Sequence, residues 1–505
     1  MSIAVLHTCA IGLEQRHDII NFATLILAVL ALMTPLVWFV VFGAYSAGAR
    51  YATVAAVTMA VVVLAGMLRV RQVSGDLVPV LTFRWNADAD QSLATPDTIV
   101  GGVDLVTTTE YDFPQFLGPD RNATVGGVSL SRDWSVAPRL LWRQPIGAGW
   151  SAFAVVNGFA VTMEQRGEQE LVTCYEVSTG RLRWWHAVEG RHRTVMGGPG
   201  PRATPTIHEG RVYALGATGV LRCLDGADGR EIWSDNLLAR IGVTPDEDRK
   251  AVGWGRSASP LIVDGLVVVP LGGPSGGQCD SLAAYDKHTG RLVWKGGNHQ
   301  VAYASPSLAT IHGVRQILIV NQDFVSGHLP ENGEVLWEYP WPGKSTTNAN
   351  VSQAVPLPNQ RIWLSKGYGV GAKVLQLSHS GAGDWGVAEL WSSERILHTK
   401  FTNIVVRDRY VYGLSDGILQ CADLESEKRQ WRGGRYAHGQ ILGVGDLLLV
   451  QAESGDVVLV EATPSGHNEL GSFPALAGKT WNNPCLYDHY LLVRNAEEAA
   501  CYELP

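Results

Sequence analysis

Eight short segments of the chain each carry, just ahead of an apolar half, a large side chain able to stack or to bear charge. The segments are GWSAFAV, PRATPTI, GRSASPLI, AYASPSL, NVSQAVPL, KFTNIVV, AHGQILG and TWNNPCL. The residues in question are Trp150, Arg202, Arg256, Tyr303, Asn350, Lys400, His438 and Trp481. The chemistry open to such a set is recognition. Arg202, Arg256 and Lys400 offer charge-assisted hydrogen bonds, and Trp150, Tyr303 and Trp481 offer flat faces, so together they suit an aromatic anion or an acidic peptide segment. A solvated rim tolerates the same groups, so they count as a site only if a scaffold gathers them.

Other chemistry finds less support in the residues. Asp228, Asp280 and Asp384 sit in turn sequences, where a carboxylate caps backbone N–H groups more often than it acts as a base. The histidines are scattered without an H-x-x-x-H pair; the nearest two, His186 and His192, lie in a loop with Arg191 and Arg193. GGPSGG, at 272–277, lacks the Lys-Ser/Thr of a phosphate loop and opens no helix. The seven cysteines, Cys9, Cys174, Cys223, Cys279, Cys421, Cys485 and Cys501, include no C-x-x-C spacing. No catalytic residue and no metal ligand is assigned.

The elements that must position the eight residues announce themselves by repetition. LAAYDKHTGRLVW, ending at Trp294, reads as two strands around a tight turn: Asp286 can accept from nearby backbone N–H groups and Gly290 can take the left-handed conformation. The phrase recurs with its tryptophan at Trp184, Trp233, Trp337 and Trp431, each eight residues after an acidic residue or, once, Leu329. A longer-turned copy ends at Trp391, and another puts Leu470 or Phe473 where the tryptophan would be. Trp142 sits in an orphan second strand near the start of the repeats, and CYELP, at the C-terminus, is a repeat cut off after its acidic residue. Pairing of the strand around Leu140–Trp142 with the strands around Leu491–Glu503 completes an eighth unit and removes two exposed sheet edges. The expected fold is therefore all-β, an eight-bladed β-propeller of four-stranded antiparallel blades. Cys174, Cys223, Cys421 and Cys501 all stand two residues before the acidic position, where another repeat has Ala284, so they read as small core residues.

Length and charge agree. A chain of 505 residues with 56 glycines and 17 tryptophans suits an all-β array, and a net charge of −8 argues against nucleic acid as a partner. Ahead of the repeats, residues 19–49 and 51–68 hold no charged side chain apart from the intervening Arg50. Each run reaches or approaches the length of a bilayer span and exceeds a signal-peptide core, so residues 19–70 are expected to form a two-helix transmembrane hairpin, about 19–43 and 51–68, turning at Arg50. Cys9 precedes the first run and so cannot be a lipoprotein cysteine. The resulting organisation is a tail (1–18), the two helices (19–70), a polar linker (71–111) and the propeller (112–505). Arg16, Arg69, Arg71 and Arg84 flank one end of the hairpin and Arg50 the other, a count that by itself leaves the propeller in the cytoplasm.

The lead-in YDFPQFLGPDRNATVGGVSLSRDW, followed by D-x-x-T-G-x-x-x-W phrases, resembles the bacterial pyrroloquinoline-quinone-like (PQQ-like) β-propeller repeat proteins, over roughly Asp112 to Pro505. The tryptophan phrase is similar to the tryptophan-docking motif of quinoprotein alcohol dehydrogenases and of the non-enzymatic propeller lipoprotein of the outer-membrane β-barrel assembly machinery. The resemblance implies that Trp142, Trp184, Trp233, Trp294, Trp337, Trp391 and Trp431 pack between adjacent blades. It implies two functions: a membrane-anchored, non-catalytic binding or assembly scaffold with a protein or peptide partner at the propeller face, or a PQQ-dependent alcohol or sugar dehydrogenase. The dehydrogenases hold pyrroloquinoline quinone over an adjacent Cys-Cys disulfide, with calcium and an Asp base. This chain has no Cys-Cys pair and lacks the long insertions, so the scaffold is the favoured reading. Because PQQ-like propellers usually work outside the cytoplasmic membrane, the resemblance points to an extracytoplasmic propeller, against the arginine count.

Overall fold

A computed structural model describes residues 17–93 and 102–505, apart from 344, 346, 347 and 382. The tail to residue 16, with Cys9 and Arg16, and linker residues 94–101 lie outside the described residues. The chain forms two compact units: residues 1–88 with 194–198, and residues 89–193 with 199–505.

In the first unit, α1 (His17–Phe42) and α2 (Ala47–Met67) are each long and apolar enough to cross a membrane. Both leave large apolar side chains uncovered, Leu32 at 76% exposure. The connection is residues 43–46, and Ser46 caps α2 by accepting from Ala49 N–H. Arg50, expected in the turn, lies inside α2 and reaches back to the Val40 carbonyl (2.7 Å). A helix N-terminus with its own cap fixes the boundary earlier than charge alone suggests. The expected linker is also partly structured. Strands β1 (Leu68–Val73) and β2 (Pro79–Phe83) pair antiparallel, with a bulge between Val70 and Gln72 that breaks the two-residue period and hid the hairpin from the sequence. Farther on, Val103 and Leu105 are buried with residues of blades 1 and 2.

The second unit is an eight-bladed propeller. Blades 1–6 are four-stranded antiparallel sheets spanning residues 154–189, 206–236, 261–296, 307–340, 355–393 and 405–435. Blade 7 (440–474) gains a fifth strand, Thr124–Val125 of the lead-in, parallel to Gln440–Val444. Blade 8 closes the ring: Arg139–Pro145 pairs with Glu498–Glu503, placing Trp142 opposite Cys501 and Leu140 opposite Tyr502, as the split repeat requires.

The repeat motif is a packing rule between blades. Trp294 lies on Gly333 in the turn of blade 4, so close that a β-carbon there would sit 2.4 Å from the indole. Its Nε1 donates to the Pro330 carbonyl (3.0 Å). Trp142, Trp184 and Trp233 dock in the same way on Gly180, Gly229 and Gly290, and donate to Val177, Gly226 and Lys287 carbonyls. The glycine is needed twice, for its positive φ and for the indole above it. Five of the tryptophans face a small residue across their own hairpin, Cys174–Trp184, Cys223–Trp233, Ala284–Trp294, Gly327–Trp337 and Cys421–Trp431, whereas Trp391 faces Val374. The repeat cysteines are thus buried, unbridged fillers.

Two tryptophans pack between blades without the cross-blade hydrogen bond. Trp337 turns its Nε1 to Gln316 of its own blade (2.6 Å). Trp391 meets Trp363 edge-on, because the next turn has Glu427 at φ 59° in the glycine position and a side chain there forbids docking. In blade 7 the register position of the tryptophan is Gly471, opposite Leu459, rather than Leu470 or Phe473. The missing indole comes from the lead-in: Trp134 covers Gly471 and meets the Phe473 ring edge-on at 5.8 Å.

Candidate binding site at the axial mouth

The inner strands are stitched to one another around the axis by polar side chains from the segments aligned above. Ala152 N–H donates to Thr204 Oγ1 (3.1 Å), Thr204 N–H to Ser259 Oγ (2.9 Å) and Ser259 N–H to Ser305 Oγ (2.9 Å). Gln353 Nε2 donates to the Ser305 carbonyl (3.3 Å), and at the next junction the Gln353 backbone N–H donates to Asn403 Oδ1 (2.9 Å). Gln440 Nε2 reaches the Phe401 (3.1 Å) and Trp481 (2.9 Å) carbonyls, and Asn482 Nδ2 the Ser151 carbonyl (2.7 Å). All eight blade junctions are bridged. Buried polar side chains are held there because each exchanges at least one hydrogen bond with a neighbouring blade, although the amide oxygens of Gln353, Gln440 and Asn482 are left without a donor.

On the exit side of this girdle the lead-in crosses the axis. Phe113 bridges Val155, Pro114 accepts from Ile207 N–H (2.8 Å), and Ala123 accepts from Gly443 N–H (2.8 Å). Between them Arg121, 6% exposed, donates to the carbonyls of Ser259 (3.0 Å) and Pro260 (2.9 Å) and to Gln115 Oε1 (3.1 Å). Burial pushes its guanidinium down to about 9.

At the entry side, ahead of the inner strands, the sequence-predicted residues do come together. The rings of Trp150 and Trp481 are 4.9 Å apart, Trp481 and Phe401 4.8 Å, and Phe401 and His438 5.4 Å. Tyr303 N–H donates to the Asn350 carbonyl (3.0 Å), and Tyr303 stacks with Trp254 at 5.6 Å. Electrostatic coupling links Arg202 to Tyr303, and Lys400 and His438 to Asp416. Burial raises and His398 lowers the Asp416 carboxyl, which ends below its usual range.

The eight residues divide into a surface and its support. Trp150, Arg202 and Trp481 are half-buried at the mouth, whereas Arg256, Tyr303, Asn350, Lys400 and His438 are under 9% exposed. Arg256 is spent inside the fold: it pairs with Asp248 (2.8 Å) of the helix Pro245–Ala251 and donates to the Leu271 carbonyl (2.8 Å). Asn350 likewise serves the carbonyls of Asn321, Gln322 and Trp341. The expected three-cation island therefore changes membership. Lys479, which the sequence reading passed over, takes the central place, with its Nζ 4.0 Å from the Trp481 ring and 4.9 Å from the Trp150 ring. Burial and the nearby Arg202 lower its pKa to about 8, against the pull of Glu453. Burial lowers Arg202 to about 10. His192, buried beside Arg202 and Arg249, is pushed down to about 3 and is neutral. Lys479 stands two residues before Trp481 and Trp254 two before Arg256; this shared offset is the signal that a one-residue-per-blade alignment missed.

Of the carboxylates near the mouth, Glu170 is engaged with Arg222 (2.9 Å) and Ala217 N–H, Asp248 with Arg256 and Glu453 with His438 N–H (3.0 Å), whereas Asp416 meets His398 through Oδ2 and leaves Oδ1 buried without a donor. Asp228 caps the N–H of Arg230, and Asp280 pairs with Lys295 (2.5 Å), both as turn or surface residues.

The family model described as outer membrane protein assembly factor BamB, of the PQQ-like repeat class, matches residues 135–245 and 197–433, more than half of the chain. Among solved structures, BamB from Moraxella catarrhalis is 15% identical with a TM-score of 0.51, covering 73% of this chain and 100% of its own. The computationally designed protein Ika8 is 12% identical with a TM-score of 0.50 over 73% of this chain and 100% of its own. Quinohemoprotein alcohol dehydrogenase ADHIIG from Pseudomonas putida HK5 is 12% identical with a TM-score of 0.47, over 78% of this chain and 80% of its own. No curated protein matches.

Proposed function

The chain belongs to the PQQ-like propeller family whose model is described as outer membrane protein assembly factor BamB, and from that premise we propose that it is a membrane-anchored, non-catalytic binding scaffold. The ligand is an acidic segment of a partner protein that carries an aromatic side chain, held at the axial mouth. The observation that carries this reading is Lys479 poised over Trp150 and Trp481 with Arg202 beside it. A carboxylate would gain a charge-assisted hydrogen bond there and an aromatic ring a stacking face. Trp481 Nε1, buried and without an acceptor, adds a donor.

The helices α1 and α2 are the anchor, and the propeller lies outside the cytoplasmic membrane. Alkaline phosphatase fused after Pro505 should be active; an inactive fusion with a fluorescent cytoplasmic reporter would reverse that placement.

The binding test is titration of the purified full-length protein with acidic, aromatic-containing peptides, in parent and in the Arg202→Ala/Lys479→Ala double variant. Binding by the parent and loss of at least tenfold in the variant, with an unchanged melting temperature, is the expected result. A parent that binds none of the peptides, or a variant that binds equally, sinks the proposal. The dehydrogenase is the competing function, and its test is direct: add pyrroloquinoline quinone and calcium and follow dye-linked oxidation of alcohols and sugars. Turnover would replace the scaffold reading.

A further inference from the structure

The hairpin β1–β2 carries an apolar face that stays exposed among the described residues. Its register puts Leu68 opposite Phe83 and Val70 opposite Leu81, so these four side chains share one face. Val70 is 39%, Leu81 55% and Phe83 41% exposed, and Trp85, 64% exposed, stacks on Phe83 with ring centroids 4.7 Å apart. The opposite face carries Arg69 and Thr82, which form a cross-strand pair, and Arg69 is tied to Asp88 (3.0 Å). A two-stranded hairpin with one uncovered hydrophobic face is marginal in water.

Its position says what covers that face. β1 begins at the residue after α2 ends, with the Leu68 N–H still bonded to the Leu64 carbonyl. Arg84 N–H returns to the Met67 carbonyl (2.8 Å). At the other end, Asn21, near the start of α1, donates to the Asp76 carbonyl in the hairpin turn (2.9 Å). The hairpin is thus pinned to the ends of both helices that lie on one side of the membrane. Side chains at that level meet the boundary of headgroups and acyl chains, where aromatic residues concentrate on both sides of a bilayer and long arginine side chains can reach the headgroups.

We infer that the hairpin is a membrane-interface foot, whose face of Leu68, Val70, Leu81, Phe83 and Trp85 lies in the lipid headgroup boundary. The inference rests on the reading that α1 and α2 span the bilayer. The foot binds lipid by apolar burial, with the exposed Arg84 placed at the level of the phosphates. It fixes the rotation of the two helices about the membrane normal.

The test uses the full-length protein in a Cys9→Ser/Cys279→Ser background, reconstituted in phosphatidylethanolamine–phosphatidylglycerol vesicles. A nitroxide is placed singly at position 32, 70, 81, 82 or 85. Collision with oxygen, which partitions into lipid, is compared with collision with a water-soluble nickel chelate. Labels at 70, 81 and 85 should favour oxygen several-fold over the label at 82, at a depth shallower than the label at 32. Aqueous readings at 81 and 85 with a lipid reading at 32 would overturn the foot and leave the anchor standing. An aqueous reading at 32 would instead overturn the anchor, and the foot with it. Labels at 70 and 81 shielded from both reagents would show a protein partner, or a second copy of the chain, in place of lipid, and would also overturn the inference.

Discussion

At one end of the propeller axis Arg121 gives its guanidinium to the carbonyls of Ser259 and Pro260, and at the other Arg202 and Lys479 stand among Trp150, Trp481 and Glu453. The two ends use similar residue types, and the inner strands separate them by only about five residues, or roughly 15 Å. The difference lies in what each cation meets. Arg121 meets buried backbone carbonyls that would otherwise lack donors, so its contribution is structural. Lys479 lies over two ring faces with Glu453 near enough to favour its charged form, so at this end the cation sits among side chains of the mouth and not against the carbonyls of the inner strands. A cation in a propeller channel is therefore no sign of a site until its partners are known. Arg256, charged and at the mouth in sequence alignment, is the example: Asp248 neutralises it.

Removing the ring that both ends share has the largest expected effect. Truncation before Leu491 leaves Arg139–Pro145 without its partner strand and opens the propeller, so cooperative unfolding should be lost. A truncated chain that stays monomeric with an unchanged melting temperature would contradict closure at blade 8. Next is a control far from both ends. Trp294→Ala empties the pocket over Gly333 and should cost about 3–5 kcal/mol in denaturant unfolding. The same change at Trp337, whose Nε1 partner lies in its own blade, should additionally leave Gln316 Oε1 unsatisfied.

The comparison itself is broken or upheld by paired alanine variants. Arg121→Ala orphans two carbonyls and should cost about 2–4 kcal/mol without affecting peptide binding. Lys479→Ala should cost no more than about 1 kcal/mol and remove binding. Equal stability losses at both positions would erase the distinction between the ends. The smallest effect is in the pH dependence. The Lys479 pKa lies near 8 in the folded protein and below its unfolded value, so the folded state binds fewer protons between that pH and about 10.5. Stability from this group should thus rise with pH across that window, while affinity for an acidic peptide falls as the ammonium is lost. Isothermal titration at pH 7 and pH 9 would show weaker binding at the higher pH in the parent and little change in Lys479→Arg.

Much of the architecture is written in local sequence. Asp286 accepts from His288 and Thr289 N–H groups, Gly290 has a φ of 71°, and Cys501 faces Trp142 across the seam, all as the repeats and the split eighth unit require. These features rest on turn chemistry and two-residue alternation, which neighbouring residues decide among themselves. The eight mouth positions could be aligned for the same reason, since equivalent positions in repeated blades must lie at equivalent heights.

What those residues do at that height was decided by tertiary structure. Whether a cation faces solvent or a carboxylate depends on what another segment inserts: the helix Pro245–Ala251 brings Asp248 to Arg256, and the lead-in brings Arg121 beneath the girdle and Trp134 over Gly471. Such partners come from outside the repeat, so no periodicity announces them. Sequence alone determined the blades, their number and their closure, because each is a local pattern repeated. The three-dimensional fold alone decided which mouth residues support the scaffold and which form its surface, because burial and charge pairing are properties of contacts between segments far apart in the chain.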